Sequence, residues 1–148
     1  MAEQAKEKMI VQASLQHCYE IVADFERYVD WAADIKEVTV LERDVEGRPK
    51  VVEFRAAAFG RSTSYTLSYD YSAAPNQLSW WQTRGDLTAK LDGSYSFKEI
   101  AHGQCEVVYL LEVELHLPLP GFVKRRAQAR IVSTALKELK ARIESTGT

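Results

Sequence analysis

The sequence predicts an α+β fold in which a strongly curved antiparallel sheet closes around one long C-terminal helix and leaves an apolar internal cavity. Three changes of hydrophobic period carry the sheet and the helix of this reading. A short helical pattern follows the first β-prone stretch, alternation with a period of two runs from residue 35 to 117, and a helical period returns from residue 122.

The first stretch, residues 9–13, is short and β-prone. Ser14 then offers a hydroxyl N-cap, and Leu15, Cys18, Tyr19, Val22 and Phe25 recur at helical spacing. A second short helix is expected around residues 26–33. The two form a helical pair placed directly after the first strand.

The long middle section alternates. Val52, Phe54, Ala56 and Ala58 face opposite to Glu53, Arg55 and Ala57, and Tyr65, Leu67, Tyr69 and Tyr71 face opposite to Thr66, Ser68 and Asp70. Leu78 and Trp80 share a face, as do Tyr95 and Phe97 after Gly93. Val107, Tyr109, Leu111, Val113 and Leu115 continue the pattern against Val108, Leu110, Glu112 and Glu114. Turn signals separate these runs: EGRP at 46–49, AAPN at 73–76, RGD at 84–86 and AHGQ at 101–104. Six successive strands with short connections make an antiparallel meander, apolar and aromatic on one face and polar on the other.

After LPLPG the apolar set recurs as Phe122, Arg125, Ala129, Val132, Leu136, Leu139 and Ile143. That spacing describes a helix with one stripe to bury, and the concave face of the sheet is the surface available for it.

Composition bounds the function. The chain has 148 residues and is read as one domain, with 46% hydrophobic residues and a formal net charge of −2. A charge so close to balance argues against nucleic acid as a partner. The polar N-terminus lacks the apolar core of a signal peptide, and no apolar run is long enough to span a bilayer, so a soluble cytoplasmic protein is expected. Cys18 and Cys105 belong to no metal-binding or redox motif, and a bond between them is left open.

Metal, nucleophile and cofactor chemistry find little support. His17, His102 and His116 fall in three different elements without ligand spacing, so no metal site is expected. The chain contains no GxSxG elbow, no GxGxxG and no GxxxxGK[ST], so no cofactor is expected either.

The stretches VADFERYVDW, LSYDYSAAPNQLSWW, LDGSYSF and LPLPGFVKRR, in this element order, resemble the START-related superfamily (SRPBCC). That group includes polyketide cyclases and aromatases, coenzyme Q-binding proteins and the birch-pollen-allergen group. The likeness covers nearly the whole chain, with one departure: Val29 stands where the family often has proline. The resemblance implies a START-like ligand-binding domain with a helix-grip fold, a six- to seven-stranded curved sheet wrapped around the C-terminal helix. It further implies a hydrophobic tunnel that takes a lipid, quinone or polyketide-like molecule.

Candidate ligand-contacting residues follow from the inward faces and that implied tunnel: Phe54, Tyr65, Tyr69, Trp80, Tyr95 and Tyr109 from the sheet, with Phe122, Arg125 and Ala129 from the helix. Several tyrosine hydroxyls on one concave face are hard to satisfy in a dry core, and a pocket accommodates them. Arg125 is the one charged member of the stripe. It either snorkels to solvent or stands at the cavity mouth and orients a polar ligand group.

Three functions are consistent with these residues. The first is carriage or chaperoning of a hydrophobic small molecule. The second is a polyketide cyclase or dehydratase that works by holding a flexible chain in one conformer, which needs no nucleophile. The third is a protein-interaction module anchored by Trp81, the outward partner of Trp80. Lys124, Arg125, Arg126 and Arg130 also suit an anionic membrane surface, and the fold admits a homodimer.

Overall fold

The computed structural model describes residues 3–58, 60–116 and 118–146. Met1, Ala2, Phe59, Leu117, Gly147 and Thr148 fall outside it, as do the side chains of Glu3 and Ala58; the end of the predicted alternation at Leu117 is therefore outside the described residues.

The elements run in chain order as β1 (Glu3–Val11), α1 (Leu15–Ala23), a 3-10 turn (Phe25–Arg27), α2 (Tyr28–Trp31), β2 (Ile35–Arg43), β3 (Pro49–Ala58), β4 (Arg61–Asp70), β5 (Gln77–Gly85), β6 (Thr88–Ala101), β7 (Gln104–Leu115) and α3 (Gly121–Thr146). One seven-stranded sheet has the order β1-β7-β6-β5-β4-β3-β2, with every neighbouring pair antiparallel. The meander of six strands, β2 to β7, thus has β1 added beside β7, and this is the predicted helix-grip architecture.

β1 begins well before the predicted stretch at residues 9–13 and ends before Ala13. It pairs with β7 from Glu3↔Val113 to Val11↔Cys105. As an edge strand it keeps one flank open, so the charges of "EQAKEK" are tolerated there, while Ala5, Met9 and Val11 pack inward. Its charged composition masked the strand.

At the start of α1 the Ser14 hydroxyl accepts a hydrogen bond from the His17 N–H at 3.1 Å, as the N-cap reading expects. The helix buries Cys18 and Val22. Cys18 lies against Cys105 of β7, and both are buried free thiols. The second helical segment splits into the 3-10 turn and a single α-turn, which ends where Ala32 adopts extended backbone.

The predicted turns connect the strands. Gly47 and Gly103, in the turns before β3 and β7, adopt φ values of 82° and 73°, a region where a side chain is strained. The turn between β5 and β6 is tied back to β4, because Asp86 accepts hydrogen bonds from the Ser64 N–H at 3.0 Å and from the Thr63 hydroxyl.

α3 buries Gln128, Val132, Leu136, Leu139 and Ile143, chiefly against β1 and β7. Complete burial of an aliphatic side chain of this size stabilises by about 1.5–3 kcal/mol, so this half of the helix holds the element in place. Gln128 belongs there because its Nε2 donates to the Leu111 carbonyl at 2.9 Å.

The N-terminal half departs from the expected stripe. Phe122, Arg125 and Ala129 are exposed, Phe122 to 60%. In the first turns of α3 it is Lys124 and Gln128, and not Arg125 and Ala129, that meet β7 at Val113 and Leu115. Among the described residues no helix is long and apolar enough to cross a membrane.

Candidate functional site

Between the concave sheet and α3 lies a cavity of about 640 Å³, within the range typical of small-molecule sites. Its sheet wall is built by the alternation: Phe54 of β3, Tyr65, Leu67 and Tyr69 of β4, Leu78 and Trp80 of β5, Tyr95 of β6, and Tyr109 and Leu111 of β7. One end is closed by Val22 and Phe25, and Tyr28, Trp31 and Ile35 continue that side. Asp34, Arg126, Arg130 and Ile131 are both part of the lining and exposed, and they mark where the cavity opens.

The six sheet residues singled out from the sequence, Phe54, Tyr65, Tyr69, Trp80, Tyr95 and Tyr109, are all brought together in this lining. Phe122, Arg125 and Ala129 are not. The helix instead presents Val123, Ala127, Arg130, Thr134 and Glu138, a second face roughly opposite the buried one. The apolar stripe expected to face the cavity is the core face of the helix, and the cavity face carries charge at its ends.

The aromatic side chains form a continuous wall. Trp80 sits between Tyr69, Tyr95 and Tyr109, with ring centroids 6.0, 5.5 and 5.9 Å away. Tyr95 and Tyr109 stack at 4.4 Å, Phe25 and Tyr69 at 4.1 Å, and Phe54 and Tyr65 at 5.4 Å. Gly93 makes room for the indole. A Cβ there would stand 2.8 Å from Trp80 Cζ2 and 2.4 Å from the Leu110 carbonyl oxygen, both closer than real contacts allow. Trp81, the next residue on β5, points outward and is 47% exposed.

Burial raises the tyrosine pKa values above the ordinary phenol range. It acts on Tyr65, Tyr69, Tyr95 and Tyr109, and Asp34 adds to it at Tyr65 by electrostatic repulsion of the phenolate. All four are therefore neutral hydroxyls at physiological pH. The Tyr109 hydroxyl donates to Tyr95. Tyr28 donates to the Val22 carbonyl, and Tyr71, which is outside the lining, donates to the Pro49 carbonyl at 2.5 Å. Tyr65 and Tyr69 make no hydrogen bond with any described residue. They are two neutral donors on the wall of an apolar space.

Of the rim charges, Glu138 accepts a hydrogen bond from the Ala33 N–H at 3.1 Å and so links α3 to the segment after α2. Tyr28, Trp31, Arg126, Arg130 and Glu138 were not among the sequence candidates. Tyr28 and Trp31 carried a signal, their i, i+3 spacing in "FERYVDW"; the helix residues did not, because the charged face of a helix normally faces water. No group of three or more His, Cys, Asp or Glu side chains suited to a metal gathers among the described residues. Chemically, the site can enclose an apolar body, stack on its rings and donate hydrogen bonds to an oxygen.

Comparison with known proteins agrees with this geometry. The family model described as "Polyketide cyclase / dehydrase and lipid transport" matches residues 11–140. A START superfamily protein from Mycobacterium smegmatis superposes with a TM-score of 0.91 at 27% identity, covering 96% of this chain and 97% of that one. The Zhui aromatase/cyclase from Streptomyces sp. R1128 superposes at 0.84 with 14% identity and full coverage of both chains. Human STARD10 superposes at 0.75 with 17% identity, covering 95% of this chain and 62% of that one. No curated protein sequence matches the chain.

Proposed function

We propose that this chain, which belongs to the polyketide cyclase/dehydrase and lipid transport family, binds one apolar, ring-bearing or chain-like small molecule in its central cavity and acts as its carrier or chaperone. The observation that carries the proposal is the cavity of about 640 Å³ with an aromatic wall and two tyrosine hydroxyls, those of Tyr65 and Tyr69, that have no hydrogen-bond partner among the described residues. A space of that size and lining favours an apolar guest, and the hydroxyls give it an orientation. Carriage needs nothing more than this.

The test is a fluorescence titration with N-phenyl-1-naphthylamine, a neutral apolar probe. One saturable site is expected. It should be lost in a variant carrying Ala127→Trp and Thr134→Trp, which fills the cavity from the helix side while leaving the buried face of α3 intact. Binding that is unsaturable, or unchanged in the filled variant, would sink the proposal.

A second reading, cyclisation by conformational templating, is favoured by the same two hydroxyls, since a neutral phenol can polarise a carbonyl. Tyr69→Phe separates the two readings. A carrier keeps its affinity for the neutral probe and has no rate to lose, whereas a cyclase loses turnover of a polyketide substrate. Trp81 supports a surface interaction only by its exposure.

A further inference from the structure

The basic end of the opening has its own geometry. Arg126 and Arg130 are four residues apart on α3, so their side chains lie on the same face, and both belong to the cavity lining. Neither forms an ion pair with a carboxylate among the described residues. Elsewhere Arg27, Arg43, Arg48 and Arg55 each meet a glutamate or aspartate within 4 Å, but none of these four lines the cavity.

The acids of the opening lie elsewhere on it. Glu138 is eight residues beyond Arg130, roughly 12 Å along the helix, and its carboxylate is held by the Ala33 N–H. Asp34 follows the same segment after α2 and acts on Tyr65. At the other end, the first turns of α3 follow closely on β7. There Thr88 pairs with Leu115, and the His116 N–H donates to the Leu87 carbonyl at 2.9 Å. Along α3 the opening is therefore basic at Arg126 and Arg130 and acidic farther on, where Glu138 meets the segment after α2.

Two unpaired guanidiniums at the edge of an apolar, aromatic cavity form a recognition site for an anion attached to an apolar body. Arginine suits this role because its planar fork binds carboxylate or phosphate through two hydrogen bonds at once. Resting on the cavity reading above, we propose that the ligand is an amphipathic anion, with its apolar body between α3 and the aromatic wall and its carboxylate or phosphate held by Arg126 and Arg130.

Two probes with the same body test this: 1-anilinonaphthalene-8-sulfonate, which is anionic, and N-phenyl-1-naphthylamine, which lacks the sulfonate. In the variant carrying Arg126→Gln and Arg130→Gln, the dissociation constant of the sulfonate should rise about tenfold, while that of the neutral probe stays within twofold. Arg126→Lys with Arg130→Lys should restore much of the loss, and raising the salt concentration should weaken the sulfonate in the native chain and the lysine variant more than in the glutamine variant. Circular dichroism of each variant confirms that the fold is kept. Equal changes for the two probes, or no change for either, would overturn the anion site while leaving the cavity reading intact; failure of the native chain to bind the neutral probe would sink both.

Displacement then distinguishes the sources of the anion. Displacement of the sulfonate by oleate ahead of oleyl phosphate assigns a free carboxylic acid, and the reverse order assigns a phosphate head. Methyl oleate displacing as well as either would contradict the proposal.

Discussion

Raising the pH is a probe of the cavity, because every tyrosine of this chain is shifted. The chain has seven, and burial is the largest cause of an upward pKa shift at each of Tyr19, Tyr28, Tyr65, Tyr69, Tyr71, Tyr95 and Tyr109. In the unfolded chain a tyrosine ionises near pH 10. Above that pH the unfolded state binds fewer protons than the native state, so stability falls as pH rises, and it is fully present below pH 10. At pH 11 a tyrosine that the fold keeps protonated costs about 1 kcal/mol of stability, and the four cavity tyrosines together cost several kcal/mol. That is comparable to the whole stability of an ordinary domain, about 5–15 kcal/mol. The assay follows tyrosinate absorbance at 295 nm together with far-ultraviolet circular dichroism. The two should change in one cooperative step above pH 10, with little tyrosinate before the fold is lost. Tyrosinate appearing with a midpoint near 10 while the dichroism is unchanged would mean that the hydroxyls meet bulk water, and the apolar cavity would be refuted.

Three further outcomes are expected. Gly93→Ala brings a methyl group against the Leu110 carbonyl and the Trp80 indole; it should cost about 1–3 kcal/mol in denaturant titration and weaken the neutral probe, and a change below about 0.5 kcal/mol would contradict the packing described. Ser14→Ala removes the cap of α1 and should cost about 1 kcal/mol, with Ser14→Asp recovering most of it; an unaltered melting temperature would show that the cap is idle. Burial, reinforced by Cys105, pushes the Cys18 thiol up to about 12, and burial also raises Cys105. Neither should react with iodoacetamide at pH 8 until guanidinium is added, whereas labelling of the folded protein at the rate of a free thiol would place them in reach of solvent.

The sheet was legible because it is covered on one side. Alternation in β4 to β7 assigns Tyr69, Trp80, Tyr95 and Tyr109 to the inner face and Trp81 to the outer one, and the structure has them so. β1 is longer than its sequence suggests because an edge strand tolerates charge on both faces, and Lys6, Glu7 and Lys8 together look like a polar tail. The helix shows a different limit. Periodicity states which residues of α3 share a side, and Val132, Leu136, Leu139 and Ile143 are buried together as that predicts. It does not state which side of the helix faces a cavity, so the stripe points to Phe122, Arg125 and Ala129, whereas Val123, Ala127, Arg130 and Thr134 line the space. Nor does it mark a void. Tyr69 lining a cavity and Tyr71 packed beyond the lining have the same phase and the same chemistry, and only the three-dimensional arrangement separates them.

The most direct measurement of the central claim is a crystal structure of the protein soaked with 1-bromonaphthalene, in which the bromine is located by its anomalous scattering. The account predicts one strong peak between α3 and the sheet, in contact with the wall formed by Trp80, Tyr95 and Tyr109. A cavity left empty, with bromine only at the surface beside Trp81 or Phe122, would contradict it.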